Sequence, residues 1–342
     1  MITENIIQED KVKPGEIYSI RPDGRWNIYL DASMASSFGI CNQLFQYQYV
    51  RHLAAKGDRP WARDLGSWWS SVMESIYVNQ FEGKFLNPME LVDIATEKWN
   101  DLKMNEMEAL HPKMWKEFGG RYGALTMIAE YGARQLPIDY KTWKIIAAEA
   151  AFGRNREVKI GESDKVVLFW MGQPDLFVIF NERIMPVDHK SLSQIDNFTQ
   201  RKYKPHIQIP GYIIAGQILL RGLGYDLPCD RAIINAVARK DTTTKDGEDI
   251  KKPRFKRFFI SYTEAELEEW KRLRLRQAEL LRESFERNLW LRNENSCSYM
   301  WGKSCQFQNI DEKDPGAREV VIRADYLVKQ PWIPGRKDED TK

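Results

Sequence analysis

The stretch Gly172–Ser191, GQPDLFVIFNERIMPVDHKS, decides how the rest of the chain is read. PDLFVIF and IMPVDHK are apolar runs rich in β-branched and aromatic residues, separated by the polar Asn181-Glu182-Arg183. That pattern predicts a hairpin of two strands. Asp175 then stands at the start of one strand, and Asp188 and Lys190 near the end of the next, so the turn brings these ends alongside each other. Asp188 and Lys190 are two apart and project from the same face of a strand. Two converging carboxylates repel and are stable mainly around a cation, and hard oxygen ligands with open water positions suit Mg²⁺ or Mn²⁺. A lysine beside them can position or deprotonate a water whose pKa the metal lowers, while the metal neutralises charge on a phosphate. The plainer reading is an edge-strand salt bridge. Against it, Pro186 and Val187 lead into the motif from an apolar strand, where an unpaired charge is costly.

Upstream of this stretch, residues 33–140 carry helical patterns at roughly 62–80, 88–104 and 118–135, rich in Trp, Met and Leu and broken at Pro88, Pro112 and Pro137. Residues 1–32 read as an irregular lead-in. The texture changes near Trp143, where apolar, Ile- and Val-rich segments begin. Downstream, Gln208 to Arg221 reads as a buried helix, residues 230–238 and 254–261 as strands, and Thr263 to about Arg292 as a long charged helix opened by a Thr263/Glu266 capping box. The expected division is therefore 1–32, a helical region 33–140, a core 141–292 and a cysteine-containing segment and tail 293–342. The fold class is α/β, a mixed central sheet flanked by helices with a helical N-terminal region.

Composition sets the outer bounds. The chain has 342 residues, 51 Lys and Arg against 49 Asp and Glu, and a formal charge of +2. Apolar residues make up 43%, which excludes disorder over most of the chain. Near-neutrality excludes a simple polycationic coat but not a nucleic-acid enzyme with local positive charge. Four scattered cysteines do not make a secreted disulfide scaffold. No signal peptide is visible, and the apolar stretch Ile209–Leu220 is too short to span a bilayer. The expected location is the cytoplasm of a bacterial or phage-infected cell, with no membrane partner.

With Gln208 and Tyr212 at i and i+4, the run G-x-x-D, h-D-x-K-S, Q-x-x-x-Y (Gly172, Asp175, Asp188, Lys190, Ser191, Gln208, Tyr212) resembles the RecB/AddB-type nuclease domain of the PD-(D/E)XK superfamily. The resemblance implies a restriction-endonuclease-like core and a Mg²⁺- or Mn²⁺-dependent, exonuclease-like deoxyribonuclease. In it Asp175 and Asp188 would ligate the metal, the His189 carbonyl would complete the coordination, and Lys190 would serve the attacking water. Gln208 and Tyr212 would contact DNA. Glu149, in AAEAAF, resembles an acidic residue that often precedes this core and is a further candidate for the metal site. SSFGICNQLFQYQYV and CSYMWGKSCQFQNID resemble the two halves of an iron–sulfur site, with Cys41, Cys297 and Cys305 as ligands and Asp311 where the fourth cysteine belongs. Three thiolates and a carboxylate holding a 4Fe–4S cluster, or a site that has lost its metal, are the two alternatives. A second departure is Ser70, which stands where the family often has a histidine four residues after Gly66, with Glu74 one turn later. Cys229 reads as a core cysteine.

The GKS of Trp301–Ser304 lacks the preceding glycine of a phosphate-binding loop, so the chain is not expected to carry a helicase motor. It looks closest to stand-alone phage-type or CRISPR-associated relatives. The basic runs at 201–204 and 251–257 interleave aromatics, which suits phosphate tracking with base stacking on Tyr203 or Phe255. The expected partner is DNA, as single strands or duplex ends, with a helicase, recombinase or single-strand-binding protein as further partners. The rival reading keeps the fold without the chemistry: a catalytically weak DNA-binding or assembly subunit of a recombination or repair complex.

Overall fold

The structure, a computed structural model, describes residues 17–56, 61–196, 198–239, 255–298 and 305–334. The polar 241–253 excursion, the Trp301–Ser304 run and the tail after Pro334 lie outside the described residues. In chain order the strands are β1 (Tyr18–Ile20), β2 (Trp26–Leu30), β3 (Leu53–Ala55), β4 (Lys144–Ala148), β5 (Val158–Glu162), β6 (Val166–Trp170), β7 (Leu176–Phe180), β8 (Arg183–Leu192), β9 (Arg231–Ala238), β10 (Phe255–Ser261) and β11 (Tyr326–Val328). The chain divides into two compact units. One comprises Met1–Lys56, Phe152–Gly172 and Glu269–Lys342, and the other Gly57–Ala151 and Gln173–Glu268. Among the described residues no helix is long and apolar enough to cross a membrane.

The second unit holds a five-stranded sheet in the order β10-β9-β8-β7-β4. Its β8–β9 pair is parallel and the rest are antiparallel, so the sheet is mixed. The hairpin between β7 and β8 closes at Phe180↔Arg183, with Asn181 and Glu182 at φ +48° and +57°. Positive φ at both central residues matches the right-handed strand twist, as two-residue hairpin loops require. β8 changes partners along its length, pairing with β7 over 183–187 and with β9 over 187–192. This explains how a strand so deep in the sheet tolerates Pro186. Ile184 N–H donates to the Pro228 carbonyl on the β9 side, and the ladder with β9 begins only at Val187, so the proline falls where no donor is needed.

One face of this sheet packs on the helical region. Met185, Val187, Ile233 and Val237 share a core with Trp68, Trp69, Trp99 and Trp115, all four tryptophans essentially inaccessible to solvent. The helices there run Trp61–Phe81, Pro88–Asp101, Met104–Leu110, Pro112–Phe118, Gly120–Arg134 and Leu136–Thr142. The break at Pro88 is a helix start: Asn87 and Glu90 form a capping box with the proline in the first turn. The opposite face receives the Gln208–Gly222 helix. A Cβ at Gly216 would lie 2.8 Å from Cys229 Sγ and 2.9 Å from the Phe177 ring, so glycine is what lets this helix approach the sheet. Cys229 is buried, as expected of a core cysteine.

The first unit has a four-stranded sheet in the order β1-β2-β6-β5 and a two-stranded sheet of β3 and β11. The lead-in thus contains two strands where the sequence suggested irregular structure. β2 is held by parallel pairing with β6, a partner far along the chain that local pattern does not reveal. Together the two units are the mixed α/β architecture expected, with mixed sheets flanked by helices.

Candidate active site

The carboxylates of the hairpin meet at one end of the second unit's sheet. Pairing of β7 with β8 stops at Leu176↔Val187, so beyond Val187 that edge of β8 faces no strand among the described residues. There the His189 N–H donates to Asp175 Oδ2 at 2.5 Å. In an extended strand the N–H and C=O of one residue point to the same edge, so the His189 carbonyl faces the same place. Asp188 and Lys190 alternate to the other face of the strand, where Lys190 Nζ lies 2.8 Å from Asp188 Oδ2. Asp188 is 5% exposed, whereas the lysine side chain keeps about a third of its surface.

Charge in this place is unbalanced. Burial, and then the charge of Asp188, push the Asp175 carboxyl up to about 7, with Glu74 adding to the effect and the His189 N–H and Lys190 opposing it. Burial alone would lower the Lys190 ammonium, but Asp188 and Asp175 outweigh it and hold it above the ordinary lysine range. Two aspartates around one ammonium leave room for a cation. Mg²⁺ is commonly held by one or two carboxylates, with water and substrate phosphate filling the remaining positions. Asp175, Asp188 and the His189 carbonyl fit that demand. Among the described residues no three His, Cys, Asp or Glu side chains stand at ligating spacing, so these two carboxylates would be the charged part of such a site.

The other sequence candidates gather around Asp175 through its preceding loop. Gln208 Nε2 donates to the Tyr212 hydroxyl at 2.7 Å, and that hydroxyl donates to the Gln173 carbonyl at 3.1 Å. Gln173 Nε2 in turn donates to Glu149 Oε2 at 2.9 Å, and Glu149 N–H to the Asp175 carbonyl at 2.8 Å. Glu149 sits at φ +48°, a left-handed conformation that a side chain adopts at a cost and that tends to be kept where it serves a site. Tyr212 is 6% exposed.

Residues passed over in the sequence complete the picture. Behind the motif strand, the His189 ring is buried and stacks on Tyr77, centroids 5.2 Å apart and 10° from parallel. Its Nδ1 lies 2.9 Å from Asn235 Nδ2. Asn235 Oδ1 faces Arg257 Nε, which can only donate, so the amide nitrogen is the end turned to His189. Nδ1 therefore accepts, and the ring proton is on Nε2. The sequence reading of His189 centred on its backbone carbonyl, and this ring contact adds to it. No sequence pattern links these positions. Glu74, which the sequence does single out one helical turn after Ser70, is felt at Asp175.

One expectation about DNA-facing groups is corrected: Tyr203 is 7% exposed, so its ring is not open to a base, whereas Phe255 is half-buried with its ring edge-on to Tyr131. Arg257 is committed to Asp139, Asn235 and the Trp143 ring. On the surface instead are Phe198, with the Arg201 guanidinium over its ring, and Lys202.

In the first unit, Cys41 and Cys305 join a small core with Leu44, Tyr47 and Phe307. Burial raises the Cys297 and Cys305 thiols, with Cys41 and Asp311 adding to it, so the four proposed ligands share one neighbourhood. Asp311 Oδ1 already accepts from Gln43 Nε2 and the Tyr47 hydroxyl, both at 2.9 Å. Cys41 Sγ accepts from Asn293 N–H at 3.4 Å. The donor chemistry suits a cluster, but the described spacing is not that of ligation.

A family model described as the PD-(D/E)XK nuclease superfamily matches residues 30–310. A solved structure from Eubacterium rectale, described as a "Putative exonuclease", shares 14% identity over 84% of this chain and 90% of that chain, with a TM-score of 0.46. No curated protein matches the chain.

Proposed function

The chain belongs to the PD-(D/E)XK nuclease superfamily, and from that premise we propose that it is a Mg²⁺- or Mn²⁺-dependent deoxyribonuclease of the exonuclease-like RecB/AddB type, acting on DNA ends or single strands. The observation that carries the reading is the convergence of Asp175, Asp188 and Lys190 at one strand end, with His189 N–H tying the first carboxylate to the strand that bears the other two.

Asp175, Asp188 and the His189 carbonyl would hold the metal. When bound, it would supply charge neutralisation for the phosphodiester and acidity for the attacking water. The chain's own groups do the positioning. Lys190, held as an ammonium by its two carboxylate neighbours, donates to the nucleophilic water or to a phosphoryl oxygen as negative charge develops there. The Gln208–Tyr212–Gln173 chain fixes the loop before Asp175 and leaves Gln208 half-buried beside it, where it can also meet the substrate. Glu149 joins the site through Gln173. DNA is the proposed partner, approached by Arg201, Lys202 and Phe198, and a helicase, recombinase or single-strand-binding protein would present it. Cys41, Cys297, Cys305 and Asp311 are carried as the candidate cluster site, tested by iron content and colour of an anaerobic preparation and their loss in Cys297→Ser.

The decisive experiment incubates linear single- and double-stranded DNA with the protein and Mg²⁺ or Mn²⁺, beside Asp188→Ala and Lys190→Ala. Each variant should lose roughly 10²–10⁴-fold in rate. Equal degradation by all three would mean a contaminant. DNA binding without cleavage by the wild type would favour the binding or assembly subunit.

A further inference from the structure

His189 is gripped from two sides at once. Its N–H holds the Asp175 carboxylate, while its ring, on the opposite face of β8 from Asp188 and Lys190, is clamped between Tyr77 and Asn235. Asn235 is itself pinned. Its Nδ2 donates to the Tyr131 hydroxyl at 2.7 Å, and its Oδ1 faces Arg257. The Tyr131 and Tyr77 hydroxyls converge on Asp139 Oδ2 at 3.0 and 2.6 Å, and Arg257 closes the circuit through an ion pair with Asp139. Asp139, Asn235 and both tyrosines are almost wholly buried. The His189 Nε2–H is buried without a hydrogen-bond partner among the described residues, but from Nδ1 through Asn235 and the two tyrosines to Asp139 the groups bond one another, and a buried polar network of that kind fixes a single arrangement. What it fixes here is the one peptide segment from which both metal-binding carboxylates are oriented.

We propose that Asn235 and the His189 ring are positioning residues: by accepting at Nδ1 from Asn235, His189 sets the 188–190 backbone in the conformation that presents Asp175, Asp188 and its own carbonyl to a divalent cation. The inference rests on the nuclease reading of the site and adds to it a support on the far face of the sheet. Partners of this kind, one bond behind the ligands, typically change metal affinity by about 10–100-fold when removed.

The test measures Mn²⁺ binding calorimetrically on the full chain, with no DNA, for wild type, Asn235→Leu, His189→Leu and His189→Asn. Asparagine places Oδ1 where Nδ1 stands and keeps the acceptor, whereas leucine keeps bulk without it. Both leucine variants, folded by circular dichroism, should bind Mn²⁺ about 10–100-fold more weakly, and His189→Asn within about threefold of wild type. A merely structural role would not be rescued by asparagine. Wild-type affinity in the folded leucine variants overturns the inference, as does an equal loss in His189→Asn and His189→Leu. If Asn235→Leu does not fold, the two His189 variants decide alone. A wild type that binds Mn²⁺ yet cleaves no DNA overturns the nuclease reading and leaves the positioning result standing. A wild type that binds no Mn²⁺ overturns both.

Discussion

Tyr212 and His189 show what single residues do and do not disclose. Helical spacing was enough to put Tyr212 beside Gln208, and the two are bonded, but the onward bond to the Gln173 carbonyl depends on how a helix meets a loop. Tyr212→Phe removes this partly buried hydrogen bond, at an expected loss of about 1 kcal/mol. Urea unfolding checks this, and an unchanged midpoint would place the hydroxyl in solvent. For His189, strand alternation gives the direction of its ring, but not that Asn235 and Tyr77 are waiting there. The ring makes its own pH prediction. Burial, with the Arg257 and Lys190 charges adding to it, pushes His189 down to about 3, whereas in the unfolded chain it titrates near 6.5. Between those values the unfolded state binds the extra proton, so this contribution is intact above about pH 6.5 and is lost as pH falls toward 3. By pH 5 about 2 kcal/mol is lost. His189→Asn lacks the titration, and comparing its stability with wild type at pH 7.5 and pH 5 cancels the opposite trend from Asp175. A pH-independent difference would mean that the ring is not held neutral.

Elements were legible where their signal is local. The β7–β8 hairpin announced itself through two apolar runs and a short polar turn, and the Gln208–Gly222 helix through apolar residues on most faces. The strands of residues 18–30 did not, because β2 is fixed by a partner across the chain. The hairpin turn offers a test at this scale. Glu182 holds φ +57°, a conformation costing a residue with a Cβ roughly 1–2 kcal/mol. Glu182→Gly should recover about 1 kcal/mol of this after glycine's greater unfolded-state freedom is counted. A rise in thermal midpoint with cleavage unchanged is expected, since the turn lies at the far end of the hairpin from Asp175. A fall would show the turn to be held by other contacts.

For the whole molecule, the two compact units are interleaved in sequence, and that arrangement has no repeat or compositional edge to betray it. The proposed nuclease residues all fall in the second unit and the three clustered cysteines with Asp311 in the first. One feature of the second unit governs when the site comes into being. The hairpin carrying Asp175 and Asp188 closes over two residues, while the parallel β8–β9 pair must close a loop whose contacts, such as His189 with Asn235, are 46 residues apart. Loop closure of that length is entropically slower and is rewarded only once the strands dock. In a refolding chain the carboxylates should therefore be side by side before anything holds them still. Pulse-labelled hydrogen exchange should show amides of 176–187 protected ahead of those of 233–237. Simultaneous protection would mean one nucleus spans all three strands. With the expected order, cation affinity is the last property the nascent fold acquires, and a half-made chain ending before β9 would carry the acidic pair without being able to use it.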